Sequence, residues 1–346
     1  MARIGIDCRF ASLNVGLGTY TRQIVSNLIT KDDANDYVLF VRSTDEPWIA
    51  DLKSANYKLQ TTDFAHYSLK EQVLFPKIIK KSGIDLLYSP HFNVPYFCPV
   101  PFVATIHDLI LHRFPNNASL IKRIAYRIVI NRAVSRAAHL IAVSEFTKKE
   151  MESEFRSQVS DKTTVVTEGY DESFRQTQDK EILDFYDLEP GYFLYVGTAK
   201  QHKNVQILID AHKKSGTEIP LIIVTNGKEV DRLRAHDGVR ILLGVETEEL
   251  SALYSSAGCF VTASAYEGFC LPLLEARACG CPVIAANTSA IPEVAGANAV
   301  LCKPILESLS DALRSPPTKF DSPEQRYNWG KSAQQISAIL TTSLHG

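Results

Sequence analysis

The stretch SAYEGFCLPLLEARACGCPVIAAN, from Ser264 to Asn287, contains the pattern that decides the fold. It follows the apolar run CFVTAS, which predicts a strand, and continues through LPLLEARACG, which predicts a helix, into a second apolar run, PVIAAN. Apolar strands joined by a helix are typical of a parallel sheet that is covered on both faces. Two glutamates, Glu267 in the loop and Glu275 in the helix, lie eight residues apart within this pattern.

The same alternation of strands and helices runs through the chain in two cycles. The first begins at ARIGIDCR, and the second begins at YFLYVGTA after a break around TTVVTEGYDESF. Since a chain of 346 residues is too long for one average core, we expect two doubly wound α/β domains. We place them at residues 1–168 and 169–324, with a helical tail at 325–346.

Composition excludes several classes of protein. The formal net charge of −2 excludes a globally basic nucleic-acid binder, and no apolar segment is long enough to cross a membrane. Seven cysteines scattered through apolar segments indicate buried, reduced thiols. No Asp-x-Asp, P-loop or His-Glu-x-x-His motif occurs, so we predict neither a metal nor a cofactor. The chain is therefore predicted to be cytoplasmic.

The segment that contains the two glutamates could hold an anion. Pro272 is suited to the first turn of a helix, so that the amides of Phe269 to Leu271 would point toward a diphosphate. Glu275, expected in that first turn, could then bind a ribose, and Glu267 could bind a group beyond the phosphates. The alternative is that Glu275 only stabilises the helix dipole and that Glu267 is a solvated loop residue.

Two further loops carry candidate residues. GTAKQHKN, from Gly197 to Asn204, follows a strand and offers His202 and Lys203, of which Lys203 could neutralise a leaving diphosphate. A solvated lysine is the alternative. In ATIHDL, His107 either faces a ligand or is a core histidine that hydrogen-bonds its neighbour Asp108.

The glycine loop GLGTYT begins at Gly16, and with Gly18 it could bring backbone amides close to a phosphate or a sugar hydroxyl. A tight turn that needs glycine dihedrals is the alternative. A dinucleotide fingerprint would need a third glycine where Thr21 stands.

Residues 119–139 form a basic amphipathic helix in the prediction, and no Asp or Glu occurs between Leu109 and Ser144. Such a helix attracts anionic lipid headgroups, although a solvated helix face would have the same sequence. The segment therefore indicates peripheral contact with a membrane.

Together, these motifs resemble those of the retaining glycosyltransferases of family 4, the glycosyl transferases of group 1. EGFCLPLLE is similar to the E-x(7)-E element of that family, and ARACGCPVIAANTSAIPEVAG resembles its continuation. GLGTYT, the His107–Asp108 pair, VSEFTKK and the GT-x(4)-KN loop are also similar and occur in the same order. The resemblance implies the GT-B fold, in which two Rossmann-like domains face a central cleft, and it implies that the tail packs back on the first domain.

The resemblance also implies roles for particular residues. Glu267 would contact the transferred sugar, with His107 across the cleft and Lys203 on the diphosphate, and these three are the implied catalytic residues. The implied donor-binding residues are Gly16, Gly18, Thr198, His202, Lys203, Val245, Gly268, Phe269, Cys270, Leu271 and Glu275.

The chain departs from the family pattern at two positions. His202 stands where many relatives have arginine, so diphosphate binding is expected to depend on pH, because histidine titrates near neutrality. Cys270 stands where glycine is usual, and it would be strained if the loop needs a positive φ there.

The sequence thus predicts a retaining, metal-independent hexosyltransferase that uses a nucleoside diphosphate sugar. UDP-glucose is favoured over GDP-mannose, because the arginine of many mannosyl relatives is missing. The expected acceptor is a glycan or a polyprenyl-diphosphate-linked glycan at the inner face of the membrane, in polysaccharide biosynthesis. The alternatives are a sugar-nucleotide epimerase of the same fold and a catalytically weak scaffold that binds nucleotide sugars.

Overall fold

The computed structural model describes residues 2–13, 16–52, 56–115 and 119–345, and residues 14 and 15 of the predicted glycine loop lie outside this part. The chain divides into two compact units. Met1–Glu168 and Arg326–Gly346 form the first unit, and Gly169–Gln325 forms the second.

The first unit contains a parallel sheet of seven strands in the order β3-β2-β1-β4-β5-β6-β7. The strands are β1 (Arg3–Asp7), β2 (Asp36–Val41), β3 (Tyr57–Thr61), β4 (Leu86–Ser89), β5 (Phe102–Ile106), β6 (His139–Ala142) and β7 (Thr163–Val165). The helices are α1 (Gly16–Lys31), α2 (Pro47–Ala50), α3 (Leu69–Ser82), α4 (Ile110–Arg113), α5 (Leu120–Arg136) and α6 (Glu145–Phe155).

Local sequence explains where α1 and α3 pack and end. In α1, apolar residues at helical spacing, from Ile24 to Ile29, face the core. The α3 helix begins after Ser68, whose hydroxyl accepts a hydrogen bond from the amide of Glu71, and it stops at Gly83, which adopts the left-handed conformation with φ 65°. The central strands β4 and β5 are buried along their whole length, as their apolar sequences predict.

The second unit repeats this architecture with six parallel strands in the order β10-β9-β8-β11-β12-β13. The strands are β8 (Phe193–Val196), β9 (Leu221–Val224), β10 (Val239–Leu242), β11 (Cys259–Thr262), β12 (Val283–Ala286) and β13 (Val300–Cys302). The helices are α7 (Lys180–Phe185), α8 (Val205–Ser215), α9 (Thr247–Ser256), α10 (Leu271–Ala278), α11 (Ile291–Val294) and α12 (Leu306–Arg314).

Each sheet has one point at which the order of its strands reverses. In the first unit this point lies between β1 and β4, and in the second unit between β8 and β11. Open α/β sheets bind ligands outside the carboxyl ends of the strands at such a point. The two reversals therefore mark where ligand-binding residues are expected in each unit.

The last helix, α13 (Trp329–His345), packs on α1 within the first unit. Ser332 anchors its first turn by donating a hydrogen bond from its hydroxyl to the carbonyl oxygen of Thr167 (2.6 Å). Trp329 packs against Tyr20 of α1, with the ring centroids 5.8 Å apart. The proline-rich stretch before α13 has no regular secondary structure from 316 to 324.

Candidate functional site

Lys203 and Glu267 form a salt bridge where the order of the strands reverses in the second unit. The Nζ atom of Lys203 lies 2.6 Å from each carboxylate oxygen of Glu267, and the two side chains are 22% and 12% exposed. Lys203 follows β8 and Glu267 follows β11, which are neighbours in the sheet. The sequence predicted both residues at this edge, and the structure brings their charged groups into contact.

Backbone and side-chain hydrogen bonds hold the Lys203 loop against the end of β11. The loop forms a 3-10 turn over Gln201–Lys203, and the carbonyl oxygen of His202 accepts a hydrogen bond from the amide of Ala265 (2.8 Å). Asn204, in the left-handed conformation, donates from its side-chain amide to the carbonyl oxygen of Ala263 (3.0 Å). These bonds fix the distance between the lysine loop and the glutamate loop.

The Glu267 loop is held from its other side by the segment after β12. The amide of Glu267 donates to the hydroxyl of Ser289 (2.9 Å), and its carbonyl oxygen accepts from the amide of Ala290 (3.2 Å). The carboxylate of Glu267 therefore projects from a loop that is fixed at both backbone groups.

The residues Gly268 to Leu271 connect Glu267 to the amino end of α10. Cys270 is buried and has φ 89°, so the strain expected for a non-glycine residue at this position is present. Burial raises the pKa of the Cys270 thiol, and the charge of Glu267 raises it further, so the side chain is a neutral thiol. The amino end of α10 brings partial positive charge to the loop.

Glu275 lies just beyond the first turn of α10, not within it as predicted. Because the helix begins at Leu271 with Pro272 next, its first turn contains no acidic residue and Glu275 is its fifth residue. The carboxylate of Glu275 accepts a hydrogen bond from the hydroxyl of Tyr254 (3.0 Å), which fixes its direction. A role for Glu275 as an acid of the first turn is therefore wrong.

His202 is buried beside Lys203, and its pKa is lowered to about 4 by burial and then by the charge of Lys203. It is therefore neutral at pH 7. The prediction that His202 titrates near neutrality is wrong for the ligand-free protein, because burial penalises the charged form.

Two further predicted donor-binding residues lie at the same edge of the second sheet. Thr198 follows β8, and its carbonyl oxygen accepts a hydrogen bond from the buried hydroxyl of Tyr195 (2.9 Å). Val245 is half-buried in the turn between β10 and α9.

His107 lies in the first unit, after β5, and its ring is held at both nitrogens. Nδ1 lies 3.1 Å from Oε1 of Glu168, and Nε2 lies 2.9 Å from the carbonyl oxygen of Pro90. The sequence suggested Asp108 as a partner and missed Glu168, which is 61 residues away along the chain. His107 follows β5 and Glu168 follows β7, and only β6 separates these two strands in the sheet. The strand order, which the sequence does not show, is therefore what brings the two residues together.

Gly16 and Gly18 form the first turn of α1 rather than a loop before it. A Cβ atom at Gly18 would collide with the carbonyl oxygen of Leu13, so glycine allows the close approach of α1 to the segment after β1. Gly16 and Gly18 belong to the first unit, as His107 does, whereas the other predicted site residues belong to the second.

A buried ionic cluster in the first unit was not singled out in the sequence. The guanidinium group of Arg9 lies 2.7 Å from carboxylate oxygens of both Asp7 and Glu71, and none of the three side chains is more than 1% exposed. Its carbon atom also lies 4.1 Å from the ring centroid of Phe75. Asp7 ends β1 and Arg9 follows it at the reversal of the first sheet, and this position is the sequence signal that could have identified them.

Outside these clusters, α5 exposes an apolar stripe between basic residues. Ile121, Ile124 and Ile128 share one solvent-facing side of the helix, and Ile121 is 80% exposed. Lys122 and Arg127 are exposed beside them. The side chain of Arg132 connects α5 to Tyr96 by a hydrogen bond from Nε to the carbonyl oxygen (2.8 Å).

Among the described residues, no group of three or more His, Cys, Asp or Glu side chains is placed to hold a metal ion. No helix in the described ranges is both long and apolar enough to cross a membrane. All seven cysteines are free, and all except Cys98 are buried.

Comparisons with known proteins match both units. The family described as Glycosyltransferase Family 4 matches residues 16–174, and the family described as Glycosyl transferases group 1 matches residues 177–335. O-antigen chain mannosyltransferase B of Escherichia coli is 30% identical over 254 residues, which cover 66% of each chain, just under two thirds. O-antigen chain mannosyltransferase RfbU of Salmonella typhimurium is 28% identical over 286 residues, which cover 77% of this chain and 76% of that protein.

Among solved structures, the Anabaena protein Alr3699/HepE in complex with UDP and glucose superposes with a TM-score of 0.76. It is 18% identical, and the superposition covers 99% of this chain and all of the other. With both halves matched by family profiles, the chain belongs to the group 1 glycosyltransferases, and its two Rossmann-like units have the GT-B fold.

Proposed function

We propose that this glycosyltransferase moves a hexose from a nucleoside diphosphate sugar to a hydroxyl group of a glycan acceptor, with retention at the anomeric carbon and without a metal. The observation that carries the proposal is the Lys203–Glu267 salt bridge beside the amino end of α10. A cation, a helix end and a carboxylate lie together where an open α/β sheet binds its ligand.

The three groups suit different parts of the donor. Lys203 and the amino end of α10 would bind the diphosphate, and Glu275 would bind the ribose. When the diphosphate replaces Glu267 as the partner of the Lys203 ammonium group, the carboxylate of Glu267 can bind hydroxyl groups of the sugar. Glu267 then orients the sugar and need not act as a nucleophile.

The proposed chemistry is same-face substitution. The bond between the anomeric carbon and the leaving phosphate oxygen breaks, and the acceptor oxygen forms the new bond on the same face of the sugar. The departing phosphate oxygen takes the proton of the acceptor hydroxyl. Lys203 and the helix end stabilise the charge that develops on the diphosphate.

GDP-mannose and UDP-glucose are the two candidate donors. The names of the two O-antigen relatives support a mannosyl donor, and GDP-mannose is therefore the first candidate. The sequence alone favoured UDP-glucose, because His202 replaces the arginine of many mannosyl relatives. The O-antigen relatives also support a glycan acceptor in polysaccharide biosynthesis.

We also propose that α5 brings the enzyme to an anionic membrane surface at which a lipid-linked glycan acceptor is available. Exposed isoleucines between exposed basic residues suit the boundary between headgroups and acyl chains. Phe97, which is 72% exposed and follows Tyr96, adds an aromatic side chain beside the residue that Arg132 contacts.

Calorimetric titration with GDP, UDP, GDP-mannose and UDP-glucose, in the presence of a chelator and then of Mg²⁺, tests the donor site. We expect one nucleotide class to bind without metal. NMR of the product made with a lipid-linked glycan acceptor then reports the anomeric configuration, and inversion would contradict the mechanism. A new sugar nucleotide formed without acceptor would support an epimerase, and binding without any product would support a scaffold.

A further inference from the structure

Both ring nitrogens of His107 face atoms that can only accept hydrogen bonds from it. Nδ1 meets a carboxylate oxygen of Glu168 at 3.1 Å, and Nε2 meets the carbonyl oxygen of Pro90 at 2.9 Å. A neutral imidazole carries one N–H group, so it can donate to only one of these acceptors. The doubly protonated imidazolium satisfies both.

We propose that Glu168 is a positioning residue that keeps His107 as an imidazolium, so that His107 serves the transfer reaction as a fixed cation and not as a general base. The role in the reaction rests on the proposed function, whereas the protonation state rests on the two contacts alone.

The surroundings of His107 favour the charged form. Burial is the largest single effect and lowers the pKa of the imidazole, but the hydrogen bond and charge of Glu168, the hydrogen bond to Pro90 and the charge of Asp108 together raise the net pKa of His107. The side chain of Glu168 is only 6% exposed, so solvent screens this pair weakly.

Aromatic rings from two other segments lie near His107. Tyr20 of α1 lies perpendicular to the imidazole, with the ring centroids 4.5 Å apart, and its hydroxyl lies 3.1 Å from that of Tyr88. His91, after β4, lies 6.5 Å away between ring centroids. The pKa of His91 is lowered, first by burial and then by the charge of His107, so His91 stays neutral.

An imidazolium cannot accept the proton of the acceptor hydroxyl. This property is consistent with transfer of that proton to the departing phosphate oxygen.

The substitution Glu168→Gln separates the effect of the second proton on His107 from the effect of its hydrogen-bond geometry. Glutamine has the shape of glutamate, and its amide group can donate to an unprotonated Nδ1 while Nε2 still donates to Pro90. Both contacts therefore survive with a neutral His107. Glu154→Gln is the matched control, because Glu154 lies 3.6 Å from Nε2 of another histidine, His112, in the same unit.

The direct readout is NMR of protein labelled with ¹⁵N in its histidine rings, over pH 6 to 9, with the signals of His107 assigned from their loss in His107→Asn. We expect both nitrogens of His107 to be protonated at pH 7.5 in the wild type and in Glu154→Gln. In Glu168→Gln, the titration midpoint should move to lower pH, leaving one protonated nitrogen at pH 7.5. A single protonated nitrogen in the wild type at pH 7.5 overturns the proposal.

The pH profile of kcat tests the role in catalysis, with the donor and acceptor that the titration and product analysis described above identify. The kcat of Glu168→Gln should begin to fall on the alkaline side at a lower pH than that of the wild type, while the affinity for the nucleotide stays unchanged. Glu168→Asp should restore part of the pH range over which kcat is retained. An unchanged alkaline limb overturns the catalytic role. If Glu168→Gln does not fold, as judged by circular dichroism, the wild-type spectrum and Glu168→Asp decide the question. Absence of transferase activity in the wild type would refute the proposed function while the NMR result still decides the state of His107.

Discussion

The ammonium group of Lys203 lies equally close, at 2.6 Å, to both carboxylate oxygens of Glu267. In the ligand-free protein, the two groups that we assign to the diphosphate and to the sugar therefore neutralise each other. A bound diphosphate would compete with Glu267 for Lys203, so donor binding and release of Glu267 are coupled in the proposed mechanism. The coupling predicts different consequences for the two substitutions.

Glu267→Gln should lower kcat on the order of a hundredfold while leaving nucleotide affinity nearly unchanged or slightly tighter, because Lys203 no longer has a competing carboxylate. Steady-state kinetics and calorimetry with the nucleoside diphosphate measure the two quantities separately. Glu307→Gln is the control, since Glu307 also pairs with a lysine, Lys214, but on the exposed surface (3.0 Å). Equal losses of kcat and of nucleotide affinity would refute the division of roles.

Lys203→Met should weaken binding of the nucleoside diphosphate by about tenfold or more, because it removes a charge-assisted contact and leaves Glu267 as an unpaired anion nearby. Binding of the nucleoside, which has no phosphate, should change little. Calorimetry of both ligands makes the comparison, and Lys214→Met serves as the control. A parallel loss of nucleoside binding would mean that the substitution has disturbed the whole pocket.

Cys270→Gly should give a more stable protein than Cys270→Ala. Both variants lose the thiol, but only glycine relieves the left-handed backbone at φ 89°, a difference of about 1 kcal/mol. Thermal unfolding should show a melting temperature for the glycine variant about 2–4 °C above that of the alanine variant. The reverse order would show that the loop bears no strain at this position.

His202 should make the second unit less stable in acid. Its folded pKa of about 4 is below the value of about 6.5 for an unfolded histidine, so between these values the unfolded state binds more protons. The stabilisation that neutral His202 contributes is fully present above pH 6.5. As the pH falls toward 4, the free energy of unfolding decreases by up to about 3 kcal/mol. Melting temperatures at pH 7 and pH 5 should therefore differ less for His202→Gln than for the wild type, and an unchanged difference would contradict the assignment.

The α5 surface should bind vesicles that contain phosphatidylglycerol and not vesicles of neutral phosphatidylcholine. Each basic residue near an anionic surface contributes about 1 kcal/mol, so the double variant Lys122→Gln with Arg127→Gln should bind about thirtyfold more weakly. Ile121→Ser should also weaken binding in a sedimentation assay. Phe185→Ser is the control, because it removes an equally exposed apolar side chain from the second unit. Equal binding to both kinds of vesicle would refute electrostatic docking.

The sequence predicted the central strands better than the edge strands. The sequences of the central strands are continuous apolar runs, because both faces of these strands are covered. The strands β3, β7 and β13, at edges of the sheets, were not predicted. Two of the five residues of β3 are half-buried and none is buried, so its sequence contains no apolar run. The strand β7 lies inside the stretch that we interpreted as a break between domains.

The candidate site was predictable where its residues follow strands along the chain, as Lys203 and Glu267 do. The pairing of His107 with Glu168 was not predictable, because it depends on segments that only the strand order brings together. The protonation of His202 was mispredicted for a related reason: a histidine has an ordinary pKa in an accessible loop, but the sequence does not show that this loop is buried.

The packing of α13 on α1 has a consequence for biosynthesis. A ribosome releases the strands and first helices of the first unit early, but α13 emerges only after the whole second unit has been translated. Until then, the surface of α1 that Ala333, Ile336 and Leu340 help to bury remains exposed to solvent. The first unit therefore begins to fold first and is completed last, so ribosomes stalled within the second unit would display nascent chains with an unfinished first unit.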